Sequence, residues 1–95
     1  MSRVLLTGSS GHVGRTCRPA LETAGWDVRL FDVAEGHDLR DERAVHTAMV
    51  GCSTVLHLGA IAHDSAGTPS EIFATNVLGT WHVLLAAESH QVEPE

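Results

Sequence analysis

Arg3-Val4-Leu5-Leu6-Thr7-Gly8-Ser9-Ser10-Gly11-His12-Val13-Gly14 decides how this chain folds. Arg3 to Thr7 is a short apolar run ended by glycine, which suits a strand buried on both faces. Beyond the glycines, Val13, Cys17, Leu21 and Ala24 recur at three- to four-residue steps and Gly25 closes the pattern, so a helix follows. Pro19 falls inside that helix and is expected to weaken or kink it. A strand that passes into a helix through a glycine-rich turn is the opening unit of a parallel α/β sheet.

The alternation continues outward from this unit. Trp26-Asp27-Val28-Arg29-Leu30-Phe31-Asp32 reads as a second strand. Asp41 can cap a helix whose inner stripe is Val45, Ala48 and Met49, ending at Gly51. Ser53-Thr54-Val55-Leu56-His57-Leu58 is the next strand, and residues 36–38 leave room for a very short extra one. Thr68-Pro69-Ser70-Glu71 then places Thr at a cap, Pro at the first helical position and Glu three residues after the cap. The helix it starts should run to about His90 with two apolar stripes, Phe73, Val77, Thr80, Leu84 and Ala87, and beside them Ala74, Leu78, Trp81 and Leu85. One stripe is enough to cover a sheet, and the second points to packing on another helix or another subunit. The element order predicts an α/β fold with about four parallel strands and right-handed crossovers.

Composition narrows the chemistry. The 95 residues hold twelve acids and six bases, for a net charge of −6, and every base is arginine. With neither lysine nor tyrosine, a Walker phosphate loop, a Schiff-base lysine and a Tyr–Lys acid/base pair are excluded within these residues. The length allows one domain, which buries about 60–65% of its unfolded surface. The acidic balance argues against a nucleic-acid footprint or a polybasic membrane anchor. No apolar run approaches the ~18 residues of a membrane span and no signal peptide is evident, so a cytoplasmic location is expected. Cys17 and Cys52, 35 positions apart, lack metal-ligand spacing and read as reduced, buried thiols.

The glycines also carry function. Gly8, Gly11 and Gly14 let the chain turn tightly, let backbone approach a pyrophosphate and let helix and strand pack closely, while the helix N-terminus presents N–H groups to phosphates. Asp32 follows Gly14 by eighteen residues, at the end of the second strand. That carboxylate is placed to accept both adenosine-ribose hydroxyls and to repel a 2′-phosphate, so the cofactor expected is NAD rather than NADP. The seven histidines offer no compact metal-ligand set. His63-Asp64-Ser65 are sequential neighbours, unlike a triad assembled from separate segments. His57 reads as a packed strand residue rather than a catalyst.

The Gly-x-x-Gly-x-x-Gly spacing resembles that of the extended short-chain dehydrogenase/reductases, the NAD-dependent epimerase/dehydratase group. Three further segments match in family order: Asp38-Leu39; His57-Leu58-Gly59-Ala60, with Gly59 where alanine is commoner; and Asn76-Val77-Leu78-Gly79-Thr80 followed by Val83-Leu84-Leu85-Ala86-Ala87. The resemblance implies the N-terminal portion of a Rossmann-type doubly wound sheet, residues 1–95 forming one half-domain without the later strands and substrate domain. It implies that Gly8, Gly11, His12, Val13 and Gly14 lie along the pyrophosphate, Asp32 and Val33 at the adenosine ribose, and Asp38 and Leu39 at the adenine. Leu58, Gly59 and Ala60 would line the middle of the cofactor, with Asn76 toward the nicotinamide, and the loop 61–67 would border the substrate. Helix 69–90 would join a homodimer. Catalysis in the family uses a Ser/Thr and a Tyr-x-x-x-Lys pair beyond a fifth strand, which Gln91-Val92-Glu93-Pro94-Glu95 would only begin.

Three readings follow. The chain is the cofactor half of an NAD-dependent sugar epimerase, dehydratase or dehydrogenase, with no turnover of its own. Alternatively it is a non-catalytic NAD-binding or regulatory module, or a non-functional remnant whose last strand has an unpaired edge. Only the first requires a downstream Tyr-x-x-x-Lys segment.

Overall fold

A computed structural model describes residues 2–60, 67–90 and 93–94. Strands β1 (Arg3–Thr7), β2 (Asp27–Phe31), β3 (Thr54–His57) and the two-residue β4 (Glu93–Pro94) form one sheet in the order β2-β1-β3-β4. All neighbours are parallel. Thr7 lies level with Phe31 on one side and with His57 on the other, so the three long strands end together. Helix α1 (His12–Thr23) links β1 to β2, and α2 (Glu42–Met49) links β2 to β3. A longer helix follows in three parts: α3 (Pro69–Phe73), a π-helical turn (Ala74–Leu78) and α4 (Gly79–Ser89).

β1 is central, and Val4, Leu5, Leu6 and Thr7 are all buried. Alternation sends Leu5 into the larger core with Phe31, Val45, Met49, Val55, Val83 and Ala86. Asp41 caps α2 by accepting the Ala44 N–H at 3.2 Å, and Val45 and Met49 form its inner stripe as expected. Arg29 secures the other end of α2, donating to the carbonyls of Ala48 (2.9 Å) and Val50 (2.6 Å). Cys52 is buried and Cys17 half-buried, both as free thiols.

Four expectations need correction. Residues 36–38 form no strand: a 3-10 turn (Val33–Glu35) and Gly36 in the left-handed region reverse the chain, leaving β2 at the sheet edge. The outer edge of β3 is not bare, since Thr54 and Val55 pair with Glu93 and Pro94. In α1, Val13 is 54% exposed and Gly14 takes the buried position, because the helix approaches the glycine turn too closely for a side chain. In the long helix, Gly79, His82, Val83, Ala86 and Ala87 are buried, while Phe73, Val77, Leu78, Trp81 and Leu84 are exposed. The π-turn holds an extra residue and so rotates the expected stripes out of register.

Candidate functional site

A cleft of about 530 Å³ opens at the C-terminal ends of β1, β2 and β3. The connection leaving β1 goes to β2 on one side and the one leaving β3 goes to β4 on the other, so the cleft sits where the strand order reverses, the usual ligand position in open α/β sheets. Of the residues expected to hold a cofactor, Gly8, Gly11, Asp32, Val33, Asp38, Leu39, Leu58, Gly59 and Ala60 line it. Gly14 is buried behind the turn, whereas His12 and Val13 stand on the exposed first turn of α1. Asn76 belongs to the π-turn, where Thr75 reaches the wall instead.

The cleft floor is a contact between two stretches of backbone. Gly8 has φ +71°, and a Cβ there would come within 2.8 Å of both the Gly59 nitrogen and the Leu58 carbonyl carbon. A Cβ on Gly14 would lie 2.2 Å from the Gly8 oxygen. Both positions therefore exclude any side chain. Gly11, where α1 starts, lines the cleft, and no side chain caps the helix there.

Asp32 is held rigidly beside this turn. One carboxylate oxygen accepts the Ser10 N–H at 3.0 Å and the other the Ala34 N–H at 2.9 Å. A carboxylate offers about four acceptor positions, so each oxygen keeps one for a ligand. His37 supports the same corner, stacking on Phe31 with ring centroids 5.0 Å apart and accepting the Asp32 N–H at 3.3 Å.

The opposite rim is charged. Arg40 Nη2 donates to Asp38 Oδ2 at 2.7 Å and its Nε reaches both carboxylate oxygens, which holds the Asp38 carboxyl below its ordinary range. Glu71 closes the capping box at α3: it accepts the Thr68 N–H at 2.9 Å while Thr68 Oγ1 accepts the Glu71 N–H at 3.2 Å. These bonds, the backbone one foremost, lower its pKa.

Leu39, only 6% exposed, is clamped between two glycines. A Cβ on Gly59 would come within 2.7 Å of its Cδ1, and one on Gly79 within 2.8 Å of its Cβ. Gly79 thus makes room for the 38–40 loop. His82 fastens that loop, with Nδ1 2.8 Å from the Leu39 carbonyl oxygen.

Sequence reasoning missed Ser10, Phe31, His37, Arg40, Glu71 and Thr75 on the cleft wall. Only Glu71 carried a signal, as part of the cap, and that signal spoke of helix rather than site. His63, Asp64 and the rest of 61–66 lie outside the described residues. Among the described residues no three His, Cys, Asp or Glu side chains cluster as a metal site, and no helix is long and apolar enough to cross a membrane.

Residues 4–94 match the NAD dependent epimerase/dehydratase family. The chain belongs to that family. Among curated members, a uronate dehydrogenase of Pseudomonas putida is 34% identical over 97% of this chain and 38% of its own length. Two solved structures are similar. A short-chain dehydrogenase/reductase superfamily protein of Agrobacterium tumefaciens with bound NAD is 40% identical, with a TM-score of 0.85 over 95% of this chain and 30% of that one. The Thermus thermophilus UDP-glucose 4-epimerase in complex with NAD is 29% identical, with a TM-score of 0.84 over 96% of this chain and 35% of that one. The chain thus has the Rossmann-type fold of the family and spans between 30% and 38% of the length of these members.

Proposed function

We propose that these residues form the NAD-binding half-domain of an oxidoreductase of the epimerase/dehydratase family acting on a sugar or nucleotide-sugar-like substrate. The glycine turn at Gly8 and Gly14 carries this reading, since a Cβ at either would strike neighbouring backbone, and only this tight turn would bring the start of α1 close to a pyrophosphate. Gly8, Gly11 and Gly14, with the backbone N–H groups of His12 and Val13, would hold the phosphates. Asp32 would use its two remaining acceptor positions on the adenosine-ribose hydroxyls, with Val33 beside them. Asp38 and Leu39 would flank the adenine, Leu58, Gly59 and Ala60 the middle of the cofactor, and Asn76 its nicotinamide end. The NAD bound to the Agrobacterium relative supports the assignment. When bound, the nicotinamide supplies hydride transfer at its ring.

Asp32 makes NAD the preferred cofactor, because a 2′-phosphate would meet its carboxylate. Calorimetric titration should show NADH binding about tenfold or more tighter than NADPH, with the gap narrowed in Asp32→Ala. Equal affinities would refute the Asp32 assignment. With no Tyr and no Lys, these residues alone should not reduce NAD in the presence of a uronate. The exposed stripe of Phe73, Val77, Trp81 and Leu84 is proposed as the homodimer contact.

A further inference from the structure

Beneath the cleft, one hydrogen-bond chain runs from Thr7 through His57 to Thr80. Thr7 Oγ1 lies 3.0 Å from both the Leu58 and the Gly59 nitrogens and 2.6 Å from His57 Nδ1, the Leu58 N–H being shared with the Thr7 carbonyl oxygen at 3.2 Å. With both lone pairs taken, the hydroxyl has only its proton left to give, so His57 Nδ1 accepts. The neutral ring then carries its hydrogen on Nε2, which donates to Thr80 Oγ1 at 3.0 Å. Thr80 passes its own proton to the Asn76 carbonyl oxygen at 2.8 Å. The chain joins β1, β3 and the long helix, and every donor in it has an acceptor.

A second proton on His57 would break it. Nδ1–H would point at the Thr7 O–H, and one of the three donors around Thr7 Oγ1 would have to leave, the Leu58 N–H having the Thr7 carbonyl as its other acceptor and the Gly59 N–H none in this network. Two of them are the N–H groups of Leu58 and Gly59, the backbone on which Gly8 rests. We propose that neutral His57 is a positioning residue for the cofactor, holding the Leu58–Gly59 turn through Thr7, and that proton uptake by its ring loosens the cleft floor and weakens dinucleotide binding. This rests on the dinucleotide reading of the cleft.

Its surroundings favour the neutral ring. Burial alone lowers the His57 pKa from its ordinary value. Among the described residues, its partners on β1 and the long helix are the uncharged Thr7 and Thr80. His82, on the same helix, is turned to the Leu39 carbonyl, and Asp38 and Arg40 on the adjoining loop are closed on each other.

Two measurements on the 95-residue chain test the proposal. Ring nitrogen NMR should give the Nε2–H form of His57, and the Nδ1–H form would overturn the chain's polarity. NADH titrations between about pH 8 and about pH 5, with circular dichroism checking the fold, should show affinity falling by up to about tenfold per pH unit below the His57 pKa. His57→Asn, which keeps an acceptor for Thr7 but cannot titrate in this range, should flatten the profile. Thr7→Val should weaken NADH about tenfold, and Thr7→Ser should restore it. A flat wild-type profile, or an unchanged slope in His57→Asn, would overturn the proposal and leave the dinucleotide site standing. No NADH binding at about pH 8 would instead remove the site, and the role of His57 with it.

Discussion

Gly8 and Gly25 both have positive φ, +71° and +96°, yet only Gly8 has backbone against its missing side chain. Gly25→Ala meets open space and should cost about 1–2 kcal/mol for the left-handed conformation alone. Gly8→Ala adds overpacking against Leu58 and Gly59 and should cost about 2–5 kcal/mol, the difference being readable in urea denaturation. His57 predicts a pH dependence of stability. Its folded pKa is depressed, so the unfolded chain binds the proton first as pH falls. Stability should be full above the ordinary histidine pKa and decline on acidification from there to the folded value, by at most about 1.4 kcal/mol per pH unit. His57→Asn should remove that decline. The glycines and Asp32 were legible in the sequence because turn geometry and helix packing are local demands. The Thr7–His57–Thr80 chain was not, because its members lie 50 and 23 residues apart and meet only once β1, β3 and the long helix are packed.

Helix starts followed the sequence closely, since a cap is a contest among four adjacent residues. Thr68 forms its full capping box, and Thr68→Ala should cost about 1 kcal/mol. The faces of the same helix were misread because the π-turn at Ala74–Leu78 rotates everything after it, and no periodicity announces an extra residue in one turn. What remains exposed is a single apolar face, with Trp81 55% accessible. Sedimentation should find a dimer that Trp81→Glu dissociates without loss of helix content, and a wild-type monomer at high concentration would contradict that contact. The absence of a strand at 36–38 was equally hidden: Gly36 and the 3-10 turn spend the segment on a reversal held by Asp32, which accepts the Ala34 N–H.

Across the molecule, the parallel order β2-β1-β3-β4 brings a glycine turn, an acidic corner and a small-residue strand end to one cleft. The Tyr–Lys pair that the family resemblance implies has no counterpart among these residues, so on the proposed function they would hold a cofactor without acting through it. On the proposed function, a dinucleotide sits in the cleft at the strand ends. Titrating NADH into the ¹⁵N-labelled chain and following backbone amides tests this most directly. Saturable shifts are predicted at Gly8, Ser10, Gly11, Asp32 and Gly59, and none at the far end of the sheet around Arg3, Asp27 and Ser53. A folded chain whose cleft amides do not move, or whose shifts gather on α4, would rule out a dinucleotide site in this cleft.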